Sequence, residues 1–343
     1  MWDETRAKLL RLTYLVCLSV GSSCSSPSEP SAVPDRPTPC LNGTALCAER
    51  VDLGSDLYLP IHSTHLLEQG HTAIKRAIIV VHGSGRNGSD YFERIIAPAA
   101  AMDLLEETLI IAPTFQTSED EPSPDEPFWT SGGWKRGHLS SSSGPSPRVS
   151  SYTAIDRILE LVLDSEHFPM LEQIVVTGHS AGGQVAHRFA GTSRIENGTT
   201  VPFRYVVANP STYLYLGSER DSQAGFVTPN SSGCADYDDW HYGLQDLNSY
   251  ATAVTQDSIK VQLVRRDVRI LIGSADSLSA SLDVTCGANL QGRHRFERGQ
   301  TLIRFMDGFH SDHGHQEMIV LGAGHSSTQM YISAEGRRAL FGG

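Results

Sequence analysis

The 343-residue sequence has little of what marks several large classes of protein. It has no dense run of Lys or Arg, and a net charge of −12 argues against nucleic acid as a partner. It has no Cys-x-x-Cys pair and no ordered Cys/His spacing of the kind that indicates a zinc site. It also has no internal repeat at the spacing of a solenoid. Its composition, 39% hydrophobic and 19% charged, is typical of a globular protein with a sizeable core.

The apolar run over residues 12–20 is too short to span a bilayer. Basic residues precede it and small residues follow it, so residues 1–24 are predicted to be a secretory leader. Cys24 also fits a bacterial lipoprotein acceptor that would tether the protein to a membrane, although Gly21 is unfavourable in such a signal. Residues 25–39, rich in Ser and Pro, are predicted to be a solvated tether. We therefore expect a secreted, periplasmic or cell-surface protein.

Cysteine is also scarce, with six in the whole chain. Two fall in the predicted leader, which leaves Cys40, Cys47, Cys234 and Cys286 as an even set. In an exported protein the simplest connectivity joins Cys40 to Cys47 and Cys234 to Cys286. The sequence alone allows three pairings, and four free thiols in a cytosolic protein are the alternative.

Strand and helix patterns alternate over about residues 50–340. Strands are predicted over 77–81, 108–113, 174–177, 205–208, 268–272 and 318–321, with an antiparallel edge strand or hairpin over 50–63. Helices are predicted over about 91–105, 151–163 and 327–341, with another after the strand at 174–177. This alternation predicts one α/β domain over residues 40–343, with a mostly parallel central sheet and helices on both of its faces.

One strand-to-helix connection carries the pentapeptide Gly178-His179-Ser180-Ala181-Gly182. Strand, sharp turn and helix around Gly-x-Ser-x-Gly is the geometry of a nucleophile elbow, in which the turn strains the serine backbone. The flanking glycines let the strand and helix approach closely. The serine hydroxyl is then exposed at the carboxyl end of the sheet. The alternative is a serine in an ordinary Gly-rich connection.

A serine hydroxyl is a weak nucleophile at neutral pH, so a neighbouring base must take its proton. In open α/β sheets, sites lie at the carboxyl ends of the strands. Asp276 and His325 each follow one of the last two predicted strands, and the chain order Ser180, Asp276, His325 is that of α/β-hydrolases. We therefore predict Ser180 as nucleophile, His325 as base and Asp276 as the acid that orients it. Asp283 is the alternative acid.

The oxyanion of a tetrahedral intermediate needs preorganised N–H donors. The backbone N–H groups of Ala181 and Ser84 are predicted to supply them, with Gly83 as the alternative to Ser84. Gly83, Gly85 and Gly88 also spell the dinucleotide pattern Gly-x-Gly-x-x-Gly. The next strand ends without the acidic residue that such a site needs, so no cofactor is predicted.

Several other histidines have predicted places around this site. His179 is expected to shape the pocket, and His82 is expected to support the loop that follows its strand. His310, His313 and His315 imitate the spacing of a metal site, but we interpret them as part of a solvated loop and predict no metal.

Two segments interrupt the alternation and are expected near the site. Residues 116–150 form a long loop, and residues 211–265 are interpreted as an insertion beside the site. Trp134, Tyr213 and Trp240 in these segments are predicted to form an aromatic wall that contacts the substrate. Ordinary packing within the loops is the alternative for each of them.

Three motifs together make the sequence resemble the α/β-hydrolase superfamily, and within it the branch of exported polyhydroxybutyrate depolymerases and feruloyl-esterase-like enzymes. These motifs are His82-Gly83-Ser84-Gly85-Arg86-Asn87, Gly178-His179-Ser180-Ala181-Gly182 and Gly322-Ala323-Gly324-His325. The resemblance implies ester hydrolysis without cofactor or metal, with Ser180, Asp276 and His325 in the roles given above. The segment from Cys234 to Tyr242 departs from the family pattern, which leaves the substrate open.

We therefore expect a secreted or surface serine hydrolase that cleaves a small-molecule or polymeric carboxylic ester through an acyl-enzyme. A lipase or a serine peptidase on the same fold is one alternative. The other is a non-catalytic surface binding protein on a hydrolase scaffold.

Overall fold

A central eight-stranded sheet organises the protein in the computed structural model, which describes residues 36 and 38–342. The predicted leader, residues 1–24, lies outside the described residues. So does the predicted tether over 25–39, except for Arg36, Thr38 and Pro39. Among the described residues, no helix combines the length and the apolar character needed to cross a membrane.

The described residues form strands β1 (Ala48–Gly54), β2 (Leu57–Ser63), β3 (Arg76–Val81), β4 (Thr108–Pro113), β5 (Gln173–His179), β6 (Phe203–Ala208), β7 (Arg220–Ser222), β8 (Gly225–Val227), β9 (Asp267–Gly273) and β10 (His315–Val320). The central sheet has the order β1-β2-β4-β3-β5-β6-β9-β10, and β7 and β8 form a separate hairpin. From β4 to β10 neighbouring strands run parallel, whereas β1 and β2 add an antiparallel edge.

The burial of each strand follows from its sequence pattern. β2 is buried at every second residue, as its alternating sequence predicts for an edge hairpin. β4, β6 and most of β3 and β5 are buried at consecutive residues, because helices cover both of their faces. The predicted edge hairpin and buried strands are confirmed.

Helices cover both faces of the sheet. They are α1 (Gly88–Ala100), α2 (Ser151–Val162), α3 (Ala181–Thr192), α4 (Gln256–Arg265), α5 (Cys286–Asn289), α6 (Arg295–Phe309), α7 (Ser327–Ile332) and α8 (Ala334–Phe341). Ile78 and Val80 of β3 share one apolar core with α1, α7 and α8, while Ile79 and Val81 share the other with α2, α3, α4 and α6. The predicted α/β architecture is confirmed.

Helices α4, α5 and α6 have no counterpart among the predicted helices, and the predicted helix over 327–341 is divided. α6 is not expected from the sequence, because its buried face includes Arg295, Arg298 and Gly299 beside apolar residues, which weakens the helical pattern. The single helix predicted over 327–341 is two helices, since Ser333 leaves the helical conformation and its side chain accepts the N–H of Gly336 to cap α8.

The insertion over 211–265 is tied to the segment that follows β9. A disulfide joins Cys234 in the insertion to Cys286 at the start of α5, and a second disulfide joins Cys40 to Cys47. These are the two pairings that the sequence favours as simplest.

Removing each disulfide is expected to lower the free energy of unfolding by an amount set by the loop it closes. The Cys234–Cys286 bond spans 52 residues and the Cys40–Cys47 bond spans 7. Chain-entropy arguments give losses of about 4 and about 2 kcal/mol for the two double alanine variants. Urea denaturation under non-reducing conditions measures both, and equal losses would contradict the loop-length explanation.

Candidate active site

Ser180 occupies a strained turn between β5 and α3. Its φ of 59° and ψ of −115° are unfavourable for any residue with a side chain. A Cβ on Gly178 would lie 2.3 Å from the backbone carbon of Gly182, and a Cβ on Gly182 would lie 2.0 Å from the Val81 carbonyl oxygen. Both positions therefore require glycine, as the pentapeptide predicts, and the turn presents the Ser180 side chain at the carboxyl edge of the sheet.

The structure brings Ser180, His325 and Asp276 together in one chain of hydrogen bonds. His325 Nε2 lies 3.0 Å from Ser180 Oγ, and its Nδ1 lies 2.6 Å from Asp276 Oδ2. With the ring proton on Nδ1, His325 donates to the carboxylate and accepts from the serine hydroxyl. Each residue follows a different parallel strand, so the sheet brings three distant parts of the chain to one edge.

Asp283, the alternative acid, has other partners. Its carboxylate accepts hydrogen bonds from the Tyr242 hydroxyl at 2.8 Å and from the backbone and side chain of Thr285. Burial raises the pKa of Asp283, whereas these hydrogen bonds together lower it by a larger amount. The pKa of Asp283 therefore lies below its ordinary value. Among the described side chains, the carboxylate that hydrogen-bonds His325 is that of Asp276.

A buried arginine lies behind Asp276 and is not expected from the sequence. Arg295 Nη1 is 3.5 Å from Asp276 Oδ1, and both side chains are fully buried. The same guanidinium donates to the backbone oxygens of Ala280 and Ser281, so it anchors the loop that follows Asp276. Burial lowers the pKa of Arg295, and the Asp276 carboxylate acts in the opposite direction.

Asn209 is a second residue that the sequence does not single out. Its side chain accepts the N–H of Gly273 and donates to the carbonyl oxygen of Gly324, so it bridges the turns that carry Asp276 and His325. The sequence does contain a signal for Asn209, because this polar residue follows the buried strand β6 as Asp276 follows β9.

His82 supports the loop after β3, as predicted. With Nδ1 protonated, it donates to the Gly83 carbonyl oxygen at 2.8 Å, and its Nε2 accepts the backbone N–H of Phe115 at 2.9 Å. Burial lowers the pKa of His82 to about 4, which keeps the ring neutral and able to accept this N–H. The ring also packs against Trp134, with centroids 4.7 Å apart.

The backbone N–H groups predicted as oxyanion donors belong to Ala181, which follows Ser180 in the chain, and to Ser84 in the loop after β3. Ala181 is the first residue of α3, where an N–H has no partner within its own helix. Ser84 lines a cleft that opens on Ser180 and His325, and its N–H has no acceptor within the described part of the chain. Gly83 also lines the cleft, and packs so closely on Tyr91 that a Cβ there would lie 2.7 Å from the tyrosine oxygen.

The predicted aromatic wall is not present. Trp134 and Tyr213 are 1% and 0% exposed, so both belong to the core beneath the site. The indole N–H of the partly buried Trp240 donates to the Arg136 carbonyl oxygen at 2.9 Å, and Trp240 does not line the cleft in the described structure. The prediction is wrong because the aromatic residues of both long segments pack against the domain rather than over Ser180.

The interpretation of the His310 to His315 segment as solvated loop is also wrong in part. His315 is the first residue of β10 and is buried, and burial lowers its pKa to about 3. His313 instead contacts Asp307 at 3.0 Å.

Among the described residues, one group of potential metal ligands is close enough to share an ion, and it consists of Cys234, Asp236 and Cys286. Both sulfurs of this group are already joined in a disulfide and offer no thiolate. The group therefore lacks the donors of a thiolate metal site.

A cleft of about 400 Å³ opens on Ser180 and His325. Its walls are mostly polar. Besides Ser180 and His325, the lining residues are Gly83, Ser84, Gly85, Asn87, Tyr91, Arg94, His179, Ser281, Ser326, Ser327 and Thr328. The insertion over 211–265 contributes none of these residues. The loop after β3, helix α1 and the start of α7 therefore shape the cleft.

His179 forms part of the cleft wall, in agreement with the expectation that it shapes the pocket. Its ring lies 4.5 Å from the His325 ring, centroid to centroid, and its Nδ1 lies 3.4 Å from the Tyr91 hydroxyl. Burial, together with the neighbouring His325, Arg295 and Arg94, holds the pKa of His179 well below its ordinary value. The ring is therefore neutral beside His325.

Two solved structures share this fold. A poly(3-hydroxybutyrate) depolymerase, LpqC from Bordetella parapertussis, is 24% identical, with 82% of this chain and 85% of that chain covered and a TM-score of 0.58. Poly(aspartic acid) hydrolase-1 from Sphingomonas sp. KT-1 is 22% identical, with 84% and 96% covered and a TM-score of 0.59. No protein-family model and no curated protein matched the chain. The protein has the α/β-hydrolase fold, and the predicted resemblance to that superfamily is confirmed at the level of the fold.

Proposed function

We propose that the protein is an exported serine hydrolase that cleaves carboxylic esters through an acyl-enzyme on Ser180. The observation that carries this proposal is the chain of hydrogen bonds from Ser180 through His325 to Asp276. An imidazole held between a serine hydroxyl and a buried carboxylate is the arrangement that activates serine for attack on a carbonyl.

In the proposed mechanism, Ser180 Oγ attacks the ester carbonyl while His325 Nε2 takes its proton. Asp276 holds the imidazole in the required tautomer and stabilises the imidazolium. The N–H groups of Ser84 and Ala181 bind the oxyanion. His325 then protonates the departing alcohol, and a water molecule, deprotonated by His325, attacks the acyl-enzyme to release the carboxylic acid and restore Ser180.

The polar cleft favours short or polar esters over the long apolar chains of a lipase substrate, because an alkyl chain would leave polar groups of the walls without partners. The two structural neighbours are named as a poly(3-hydroxybutyrate) depolymerase and a poly(aspartic acid) hydrolase. Since poly(3-hydroxybutyrate) is a polyester, the proposed substrate class includes polymeric esters.

Export is proposed from the leader pattern over 1–24 and is supported by the two disulfides, since such bonds persist in oxidising compartments. Lipidation of Cys24 is the form of export that would tether the protein to a membrane.

A fluorophosphonate probe tests the proposed nucleophile. We expect one adduct, located by mass spectrometry at Ser180, on the folded protein and none on protein unfolded in urea. The Ser131→Ala variant is the matched control, because Ser131 is exposed and its side chain makes no hydrogen bond among the described residues. Labelling should be unchanged in this variant, and folded wild-type protein without an adduct at Ser180 would refute the proposal.

Replacing Arg295 by methionine is expected to shift the acid limb of the kcat/KM profile to higher pH by about 0.5–1.5 units. The cation offsets part of the Asp276 charge, so its loss strengthens the negative field of the carboxylate at the catalytic base. Kinetics on a neutral ester from about pH 5 to 9 measure the limb. Arg295→Lys should keep it near the wild-type position.

Arg298→Met is the matched control for Arg295→Met. Arg298 is equally buried one turn further along α6, but it donates to the backbone oxygens of Ser211 and Gly292 rather than to Asp276. It should cost stability without moving the acid limb. Equal shifts in both variants would show that Arg295 acts through folding alone.

A further inference from the structure

We propose that Arg94 makes the cleft selective for esters that carry a carboxylate near the scissile bond. The inference rests on the proposed function, because it names the class of substrate that Ser180 would attack.

The charge of the cleft wall is the first observation. Among the described residues that line the cleft, Arg94 is the one with a permanent charge, and no carboxylate is among them. Burial keeps His179 neutral, so this ring neither adds to the positive charge of the cleft nor competes with Arg94 for an anion. A substrate that reaches Ser180 therefore meets one fixed cation on otherwise neutral, polar walls.

The position of the guanidinium is the second observation. Arg94 Nη1 donates to Ser327 Oγ at 2.9 Å, and Ser327 is two residues beyond His325. The guanidinium carbon also lies 4.5 Å from the centre of the Tyr91 ring. These two contacts hold the cation beside the segment that carries His325, in the cleft that Ser180 also lines.

The nearby carboxylates leave the cation available. Asp90 lies 3.4 Å from Arg94 Nη2, but its carboxylate is 53% exposed and accepts a shorter bond, 2.6 Å, from the Asn87 amide. Such an exposed pair contributes little. Glu93 on the same helix is engaged by the backbone N–H of Gly43 at 2.8 Å.

Arg94 differs from the buried arginines of the protein in the hydrogen bonds that its guanidinium makes. Arg188 and Arg295 each donate to at least two backbone oxygens of the protein. Arg94 makes no hydrogen bond to a backbone oxygen among the described residues. Its remaining N–H groups match the two oxygens of a carboxylate, the partner that a guanidinium binds best.

Matched pairs of charged and neutral esters test the inference. On the acyl side, monoethyl succinate is compared with ethyl succinamate, in which an amide replaces the carboxylate. On the alcohol side, 4-carboxyphenyl butyrate is compared with 4-carbamoylphenyl butyrate. We expect wild-type protein to prefer the charged member of at least one pair, with the preference falling as salt is raised.

In the Arg94→Met variant, kcat/KM for the preferred charged ester should fall about 10- to 100-fold, while the neutral partner changes by less than about threefold. Arg94→Lys should keep part of the preference. Arg157→Met is the matched control, because Arg157 also pairs with an exposed carboxylate on a helix but does not line the cleft. It should leave both esters unchanged.

The outcomes separate this inference from the proposed function. A charged-to-neutral ratio that is the same in wild-type and Arg94→Met protein for both pairs overturns the role of Arg94, even if every ester is cleaved. Failure of wild-type protein to cleave any of the four esters, with no fluorophosphonate adduct at Ser180, overturns the proposed hydrolase activity itself.

Discussion

The Ser180→Ala variant is expected to lose ester turnover by about five to six orders of magnitude, because no other group can form the acyl-enzyme. Alanine removes the hydroxyl that lies 3.0 Å from His325 Nε2, while the oxyanion donors and the cleft remain. Any residual rate should therefore come from water attacking ester bound in the cleft. Initial rates on 4-nitrophenyl butyrate, with a long time course for the variant, measure the loss.

The expected loss must be distinguished from misfolding. Ser180 is strained at a φ of 59°, and alanine has a similar backbone preference, so the variant should keep the wild-type unfolding midpoint in urea. Ser131→Ala should keep both midpoint and turnover. A folded Ser180→Ala protein with more than about one percent of wild-type turnover would contradict the acyl-enzyme mechanism.

Asp276→Asn is expected to lower kcat by about 10³- to 10⁴-fold, because the asparagine amide stabilises the wrong imidazole tautomer and cannot stabilise the imidazolium by charge. The carboxylate that is lost lies 2.6 Å from His325 Nδ1 and is fully buried. Steady-state kinetics on the same ester measure the effect, and the acyl-enzyme should form slowly even at saturating substrate.

Asp283→Asn is the isosteric comparison. Asp283 holds Tyr242 and Thr285 and does not touch His325, so its variant should lose less than about tenfold in kcat. Large and equal losses in both variants would mean that the loop after β9 acts as a structural unit. A larger loss in Asp283→Asn would overturn the assignment of Asp276 as the acid.

Local sequence patterns were sufficient for the residues on the hydrogen-bonded chain. Ser180, Asp276 and His325 each follow a buried strand, and parallel strands place their carboxyl ends at one edge of the sheet. Where each residue sits along the chain therefore predicts where it sits in space. The role of His82 beneath the loop after β3 was accessible for a similar reason of position. The two observed disulfides are the simplest of three pairings that the sequence left open.

Local sequence patterns do not predict contacts that depend on how distant segments pack together. The contact of Arg295 with Asp276 depends on how α6 packs, and that helix has arginines and a glycine on its buried face. The aromatic residues Trp134 and Tyr213 illustrate the opposite error, since their chemistry suits a substrate wall but their burial excludes it. No periodic pattern in the sequence predicts the contact of Arg295 with Asp276 or the burial of Trp134 and Tyr213.

The sequence by itself determined the fold class and the spacing of the candidate site, because strand burial, glycine turns and the polar residues that end strands are all local features. Only the tertiary structure decided what surrounds Ser180. The cleft wall combines the loop after β3 and α1 with the start of α7, which lies far away in the chain, and the insertion over 211–265 contributes no lining residue. The physical reason is that side-chain surroundings arise from long-range packing, which depends on the whole core rather than on any one segment.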